Sequence, residues 1–417
     1  MAGEVNLLCT SGKPHMPVTA TQQLAYVLIE AMPTGAIADV QMPLNFSLVL
    51  DHSGSMSGEK LRDLKEAVKL VLERMQPQDH VSLVIFDDKA DVLSPSQPVT
   101  NPGHLQSLVD RIKDGGGTEM SKGMKLGLAE VQKALDPSRV SRILLLTDGQ
   151  TFGDEERCRQ LGADAGGLGI PITALGLGDD WNVELLDDVA NASGGVSDFI
   201  DAPHKIEQYF QSTLRSMQAT VVNNAQLILR LVQGITPRQV WRVLPLIAQL
   251  SPTALSDRDV QVYLGDLEKD QGQAVLVEML LPPRAAGRYR IAQAEVSYDV
   301  PAMGIVGEKA RSDILLTFTD DAALAQQYDP RVMNLVEKVT AFKLQTRALD
   351  EAKAGNIAGA TQKLRQAATR LLEMGEADLA AAAEEEAKRL EQEGRMSDAG
   401  EKKLRYETRK LTQKLDQ

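Results

Sequence analysis

Between Asn45 and about Gln218, short apolar runs alternate with stretches that have the periodicity of amphipathic helices. The apolar runs have the length and bounds of buried strands, and they are Phe46–Leu50, Val81–Phe86, Ile143–Leu146 and Ile172–Leu177. Between them, apolar residues recur every three or four positions, as on helices that cover a sheet. Because this alternation requires crossover connections, it predicts a doubly wound, mostly parallel α/β sheet over residues 44–218.

The sequence on either side of this segment follows a different pattern. Residues 18–31 read as one strand, and the strand-like runs after residue 219 are 225–231, 239–246, 260–267, 274–281, 289–298 and 314–318. An isolated N-terminal strand would have unprotected edges, so we expect it to join the later strands in a β-sandwich. The α/β domain would then be inserted between residues 1–43 and residues 219–320 of that sandwich.

The last segment, residues 321–417, is rich in Ala, Glu, Lys, Leu and Arg, which favour helices. Gly355, Gly375 and Gly394 are spaced by about one helix and one turn each. This spacing predicts a small antiparallel helical bundle, and a tetratricopeptide-like platform for a partner is the alternative. The bundle is favoured because the helices lack the tetratricopeptide consensus.

Composition argues against several classes of function. The net charge of −13 disfavours a surface for nucleic acid or anionic membranes, and no apolar run approaches the length of a membrane span. The N-terminus lacks the basic and apolar regions of a signal peptide, so a cytoplasmic location is expected. Cys9 and Cys158 are too few and too far apart for a disulfide framework or a zinc site.

Oxygen-bearing side chains follow two of the predicted buried strands, and another ends a glycine-rich loop. They are Asp51, Ser53 and Ser55 in a D-x-S-x-S pattern, Thr118 after three glycines, and Asp148. Because the carboxyl ends of parallel strands open on one crevice, these side chains can converge there. Carboxylates and hydroxyls are hard ligands that suit Mg²⁺ or Mn²⁺ better than zinc, and Ca²⁺ is also possible.

These residues, in this order and spacing, resemble the von Willebrand factor A (vWA) domain family. The similarity covers roughly residues 45–218 and also includes Thr147-Asp148-Gly149 and Gly176-x-Gly178-x-Asp180. The whole arrangement further resembles bacterial and inter-α-trypsin-inhibitor-like proteins, in which such a domain is inserted in a β-sandwich.

The resemblance implies a metal-ion-dependent adhesion site. Ser53, Ser55 and Thr118 would bind the ion directly or nearly so. Asp51 and Asp148 would hold it mainly through waters, which suits an ion that dehydrates reluctantly. An Asp or Glu side chain of a partner protein would then complete the coordination.

We therefore expect a non-enzymatic, Mg²⁺-dependent protein-interaction module. The alternative is an adaptor or co-subunit of a MoxR-type or chelatase-type AAA+ ATPase, with the ATPase on another polypeptide because this chain has no Walker motif. A metal-dependent hydrolase is less favoured, because no general base follows from the motifs beyond Asp51 and Asp148. A purely structural scaffold is the remaining alternative.

Overall fold

The computed structural model describes residues 3–37 and 40–413. The described chain divides into an α/β unit, formed by residues 40–223 and 300–305, and a second unit. The second unit comprises the described residues within 1–39, 224–299 and 306–417.

The strands are numbered in chain order. They are β1 (Val5–Ser11), β2 (His15–Pro17), β3 (Gln23–Pro33), β4 (Leu44–Asp51), β5 (His80–Phe86), β6 (Ala90–Pro98), β7 (Val140–Thr147), β8 (Ile172–Leu177), β9 (Val196–Ile200), β10 (Thr220–Leu231), β11 (Thr236–Leu244), β12 (Ala248–Leu250), β13 (Thr253–Ala254), β14 (Asp259–Glu268), β15 (Gln273–Leu281), β16 (Gly287–Val300) and β17 (Ile305–Thr319).

The α-helices are numbered in the same way. They are α1 (Glu59–Arg74), α2 (Pro102–Asp110), α3 (Met120–Lys133), α4 (Glu155–Gly167), α5 (Val183–Ser193), α6 (Ile206–Ala219), α7 (Ala322–Ala325), α8 (Pro330–Lys353), α9 (Ile357–Glu373), α10 (Ala377–Glu393) and α11 (Asp398–Arg409).

The α/β unit is built on a six-stranded sheet in the order β6-β5-β4-β7-β8-β9. All neighbouring pairs are parallel except β5 and β6, so the predicted mostly parallel α/β fold is confirmed. Every residue of β4 is buried, because both of its faces are covered. Leu48 packs with α1 and α6 in one apolar core, whereas Val49 meets α3 beside Gly127.

The edges of this sheet differ from the sequence expectations. The sequence patterns predict no strand at β6, where Pro95 and Pro98 interrupt a polar stretch. The strand forms because it pairs with β5 alone, and an edge strand tolerates proline. Strand β9 at the opposite edge is also absent from those predictions, since it is short and partly polar.

The second unit contains two sheets, in the orders β1-β3-β15-β11-β12 and β13-β14-β10-β16-β17-β2. Strands on either side of the α/β segment pair with each other, β3 antiparallel to β15 and β2 parallel to β17. The N-terminal segment forms three strands rather than the single strand expected at 18–31, and β17 is much longer than the predicted run 314–318. The insertion of the α/β domain in a β-sandwich stays a prediction.

The C-terminal segment is helical, as predicted. Helix α8 packs on one of these sheets, where Phe342 meets the indole of Trp241 edge-on at 6.1 Å between ring centroids. Helices α9, α10 and α11 form a further apolar cluster with the end of α8, in which Leu364, Leu390 and Leu404 are fully buried. Consecutive helices therefore pack side by side, each held by an apolar stripe.

Candidate metal centre

The candidate residues lie where the central strands of the α/β sheet end. Strand β4 ends at Asp51, and its parallel neighbour β7 ends at Thr147, one residue before Asp148. Leu50 and Leu146 are register partners, so both carboxylates leave the sheet at the same edge. This is the edge at which ligands bind in open α/β sheets.

The triglycine loop is fastened to the segment that follows β4. The Gly115 N–H donates to the carbonyl of His52 at 2.8 Å, and the Gly54 N–H donates to the carbonyl of Gly116 at 3.2 Å. A side chain on Gly116 would collide with the carboxylate of Asp88, which would have to move to make room for it. The loop thereby brings Thr118 to the same edge as Asp51 and Asp148.

Asp51 is a buried carboxylate with both oxygens engaged. Its side chain accepts a hydrogen bond from the Ser53 N–H at 2.8 Å and another from Thr147 Oγ1 at 2.6 Å, and the residue is 0% exposed. Burial raises the pKa of Asp51, the hydrogen bonds from Thr147 and Ser53 lower it in part, and the nearby charge of Asp148 raises it further.

The hydroxyl groups form a chain that begins at the second carboxylate. Ser55 Oγ donates to Asp148 Oδ1 at 2.6 Å, and Ser53 Oγ lies 3.1 Å from Ser55 Oγ. A methyl group on Gly149 would touch both Ser55 Oγ and Thr118 Oγ1 at 3.6 Å, so glycine leaves the space between those hydroxyls open. The structure therefore brings all five predicted residues to one place.

The donor set fits a hard divalent cation. Two buried carboxylates and three hydroxyls supply oxygen atoms alone, the ligands that Mg²⁺ and Ca²⁺ prefer. Across residues 3–37 and 40–413, no three His, Cys, Asp or Glu side chains are grouped as a metal site. The candidate centre is of a different kind, because three of its five candidate ligands are hydroxyls.

Lys60 is a site residue that the sequence analysis missed. Its ammonium forms an ion pair with Asp148 Oδ2, across 88 residues of sequence. Lys60 is the second residue of α1, where the helix dipole disfavours a cation. A lysine in a first helical turn could have suggested a nearby carboxylate, but the sequence alone does not say which one.

Thr147 and Thr151 are two further residues of the site that were not predicted to act there, although Thr147 belongs to the Thr147-Asp148-Gly149 motif. Thr147 holds Asp51, and buried Thr151 accepts a hydrogen bond from the Met120 N–H at 3.1 Å. His52 Nδ1 lies 2.8 Å from the carbonyl oxygen of Lys113, so this ring nitrogen is engaged by the backbone of another loop. Threonine is common in strands, as at Thr147, and also in loops, as at Thr151, so neither residue carries a local signal of its role.

Comparison with known proteins assigns the class of the α/β unit. Residues 45–212 match the von Willebrand factor type A domain family, and residues 330–414 match the Sll0103-like C-terminal alpha-helical domain. The structure resembles a von Willebrand factor type A protein from Catenulispora acidiphila, with a TM-score of 0.78 at 18% identity over 98% of this chain and 97% of that one. The chain is thus a vWA-domain protein with a C-terminal helical region.

The particular family follows from a relative that matches most of the chain. The chain is 33% identical to the uncharacterized protein sll0103 of Synechocystis sp. over 339 residues, which cover 79% of each chain, and it belongs to the same family. Human inter-alpha-trypsin inhibitor heavy chain H3 is 30% identical over 165 residues, covering 37% of this chain and 18% of that protein. None of the helices within the described residues is long and apolar enough to span a membrane.

Proposed function

We propose that the protein is a non-enzymatic binding protein that takes an Asp or Glu side chain of a partner at a divalent metal ion. The ion would be Mg²⁺, with Mn²⁺ or Ca²⁺ as substitutes. The residues that would hold it are Ser53, Ser55 and Thr118 directly and Asp51 and Asp148 through waters. A vWA domain is a common protein-interaction module, and the proposal adds the metal and the chemistry of the partner.

The observation that carries the proposal is the convergence of five oxygen-bearing side chains, of which two are buried carboxylates and three carry hydroxyls. Both oxygens of Asp51 accept hydrogen bonds, one from Ser53 and one from Thr147, which fix the position of the carboxylate. Its negative charge would therefore attract a cation from a fixed place. Asp148 likewise orients Ser55. The hydroxyls that face the open space are therefore held in place before any ligand arrives.

The ligand set also explains why a partner's carboxylate would bind. Neutral hydroxyls as direct ligands leave most of the ion's charge unbalanced, and a bound ion supplies an open position for an anionic oxygen. The residues of the chain orient the hydroxyls, and their hard oxygen atoms favour hard cations over soft ones. Reaction chemistry would need a positioned general base, and both carboxylates are already occupied by hydrogen bonds.

Thr118→Ala tests the proposal, because it removes a candidate ligand from a loop and leaves both strands intact. Thr100→Ala is the matched control, since this exposed threonine follows β6 at the opposite edge of the sheet. Mg²⁺ binding is measured by titration calorimetry for the wild type and both variants. Proteins retained from native lysate in Mg²⁺ and in EDTA are then compared by mass spectrometry.

We expect the wild type and Thr100→Ala to bind Mg²⁺ and to retain the same partner in Mg²⁺ only. Thr118→Ala should bind the ion at least about tenfold more weakly and lose the partner. Equal Mg²⁺ affinity in all three proteins, or a partner list that EDTA leaves unchanged, would contradict the proposed function.

A further inference from the structure

Phe152 is a strongly exposed aromatic side chain close to the candidate metal centre. It is 78% exposed and lies in the loop between β7 and α4, four residues after Asp148. Single exposed apolar residues are common on proteins and by themselves need no explanation. The position of Phe152 and the way its loop is held distinguish it from an ordinary surface residue.

The residues on both sides of Phe152 are tied to the element that carries Thr118. Thr151 Oγ1 accepts from the Met120 N–H, lies 3.3 Å from the carbonyl oxygen of Thr118, and donates to Asp154. Asp154 in turn accepts a hydrogen bond from the Ser121 N–H at 2.7 Å. Phe152 is thus presented on a short loop whose two ends are fixed against the start of α3.

An exposed aromatic residue on a loop with fixed ends is well suited to binding. The loop needs no further ordering when a partner arrives, so less of the interaction energy is lost to conformational entropy. Aromatic side chains are also enriched among the residues that dominate interface energies. Since Thr151 touches the backbone of Thr118 and consecutive Cα atoms are about 3.8 Å apart, Phe152 lies beside the loop that carries Thr118.

We propose that Phe152 is an apolar anchor for the partner, so that the recognised segment carries an apolar side chain within two residues of its metal-binding Asp or Glu. In an extended segment, residues i and i+2 face the same side and are about 7 Å apart. A segment of this kind would place its acid at the centre and its apolar side chain on the ring. The inference rests on the proposed function and names the class of partner.

The test uses the full-length protein and two displayed peptide libraries. Both contain random peptides of about nine residues, long enough for an extended segment, and they differ only in a central Asp or a central Asn. Wild type, Phe152→Ala and Leu168→Ala are each used for selection, in Mg²⁺ and in EDTA. Leu168 is the control because it is 41% exposed and follows the far end of α4.

We expect the wild type and Leu168→Ala to select central-Asp peptides in Mg²⁺ that carry Leu, Ile, Met or Phe within two positions of the Asp. Phe152→Ala should still select Asp but without this preference, and it should bind an enriched peptide about tenfold more weakly, as for an interface hot spot. Both changes are measured at Mg²⁺ concentrations that saturate each protein.

The outcomes separate this inference from the proposed function. If no protein selects central-Asp over central-Asn peptides in Mg²⁺, the proposed function is contradicted and this inference with it. If Asp peptides are selected without a neighbouring apolar residue, or if Phe152→Ala and Leu168→Ala behave alike, the anchor alone is wrong. If the selected peptides keep their preference for a neighbouring apolar residue in EDTA, Phe152 does not act together with the metal ion, and the inference is also contradicted.

Discussion

At the scale of single residues, Lys60 brings a positive charge to the candidate centre. Asp51 and Asp148 are both buried, and the negative charge of Asp148 raises the pKa of Asp51. The ammonium of Lys60 pairs with Asp148 and is 31% exposed along its side chain, so it reaches the carboxylate from the rim. The same ammonium that stabilises the carboxylates without a metal must compete with a divalent ion for them.

We predict that Lys60→Met has opposite effects on stability and on metal affinity. Without metal, Asp148 loses its cation, and the free energy of unfolding should fall by about 1–2 kcal/mol. With metal, the competing charge is gone, and the affinity for Mg²⁺ should rise by about five- to tenfold. Thermal unfolding in EDTA and calorimetric titration with Mg²⁺ measure the two effects.

Lys69→Met is the control for this prediction, because Lys69 lies on the same helix and pairs with Glu66 and Asp110 on the surface. The Lys69→Met substitution should change neither the free energy of unfolding nor the affinity for Mg²⁺ appreciably, because surface ion pairs contribute little. A Lys60→Met variant that binds Mg²⁺ with unchanged or lower affinity would show that the lysine does not compete with the ion.

At the scale of elements, the packing of α3 against the sheet fixes the position of Thr118. A Cβ on Gly123 would lie 2.6 Å from Phe86 Cδ1, and a Cβ on Gly127 would overlap Val49 Cγ2. These two glycines therefore set the distance between α3 and the strands β4 and β5. Because α3 begins at Met120, a shift of the helix would move Thr118, two residues earlier.

We predict that Gly127→Ala damages both the fold and the site. The added methyl group forces α3 away from the stiff side chain of Val49, which should cost about 1–3 kcal/mol in the free energy of unfolding. The displaced helix should also weaken Mg²⁺ binding several-fold. Urea unfolding and calorimetric titration measure the two effects.

Gly103→Ala provides the comparison, since Gly103 lies in α2 and the nearest atom to an added Cβ is 3.8 Å away. There the substitution should be neutral or stabilise the protein by up to about 1 kcal/mol, because alanine favours helix. If both alanine variants are equally stable and bind Mg²⁺ equally, close packing of α3 does not position the site.

A second element-scale feature is an ion cluster across β10, β16 and β17. The buried carboxylate of Glu295 accepts hydrogen bonds from Arg311 Nε at 2.6 Å and from Arg230 at 3.1 Å, and Lys309 Nζ lies 3.3 Å away. Burial by itself raises the pKa of Glu295, but the three cations outweigh it and lower the pKa to about 2. The carboxylate thus links three neighbouring strands.

We predict that Glu295→Gln destabilises the protein in a pH-dependent way. Since the folded-state pKa lies below the unfolded one, the charged glutamate contributes stability at neutral pH that is lost as pH falls from about 4.5 towards 2. The loss in the variant should be about 1–3 kcal/mol at pH 7 and should vanish near pH 2. Urea unfolding across this pH range measures the loss of stability in Glu295→Gln, and a Glu308→Gln variant, changed at an exposed glutamate, is the reference. A difference independent of pH would contradict the account.

The elements also show how far the sequence could predict the fold. Central strands such as β4 and β7 are continuous apolar runs because both faces are buried, so they stand out in the sequence. Edge strands do not stand out, because β6 contains two prolines and β9 is half polar. Their pairing depends on a neighbouring strand that lies elsewhere in the sequence.

The five ligand candidates were predicted by their motifs, whereas Lys60 and Phe152 were not. Their roles depend on tertiary proximity to Asp148 and Thr118.

At the scale of the whole molecule, the two tryptophans report on the two units separately. Trp181 is buried in the α/β unit beside Gly176, and Trp241 is buried in the second unit against Phe342. The chain contains no other tryptophan, so Trp241→Phe leaves only the α/β reporter and Trp181→Phe leaves only the other. For each variant, unfolding in the presence of metal is compared with unfolding of the same variant without metal.

We predict that Mg²⁺ stabilises the unit that Trp181 reports. All five candidate ligands lie within residues 40–223, so binding should raise the free energy of unfolding of that unit by about 2.7 kcal/mol when Mg²⁺ is a hundredfold above its dissociation constant. The transition reported by Trp241 should stay where it was, and Thr118→Ala, which binds Mg²⁺ at least about tenfold more weakly, should reduce the shift at Trp181 to about 1.4 kcal/mol or less. A shift reported by Trp241 alone would place the metal in the second unit. If Mg²⁺ shifts the transition reported by Trp181 equally with and without the Thr118→Ala substitution, the ion binds elsewhere in the α/β unit.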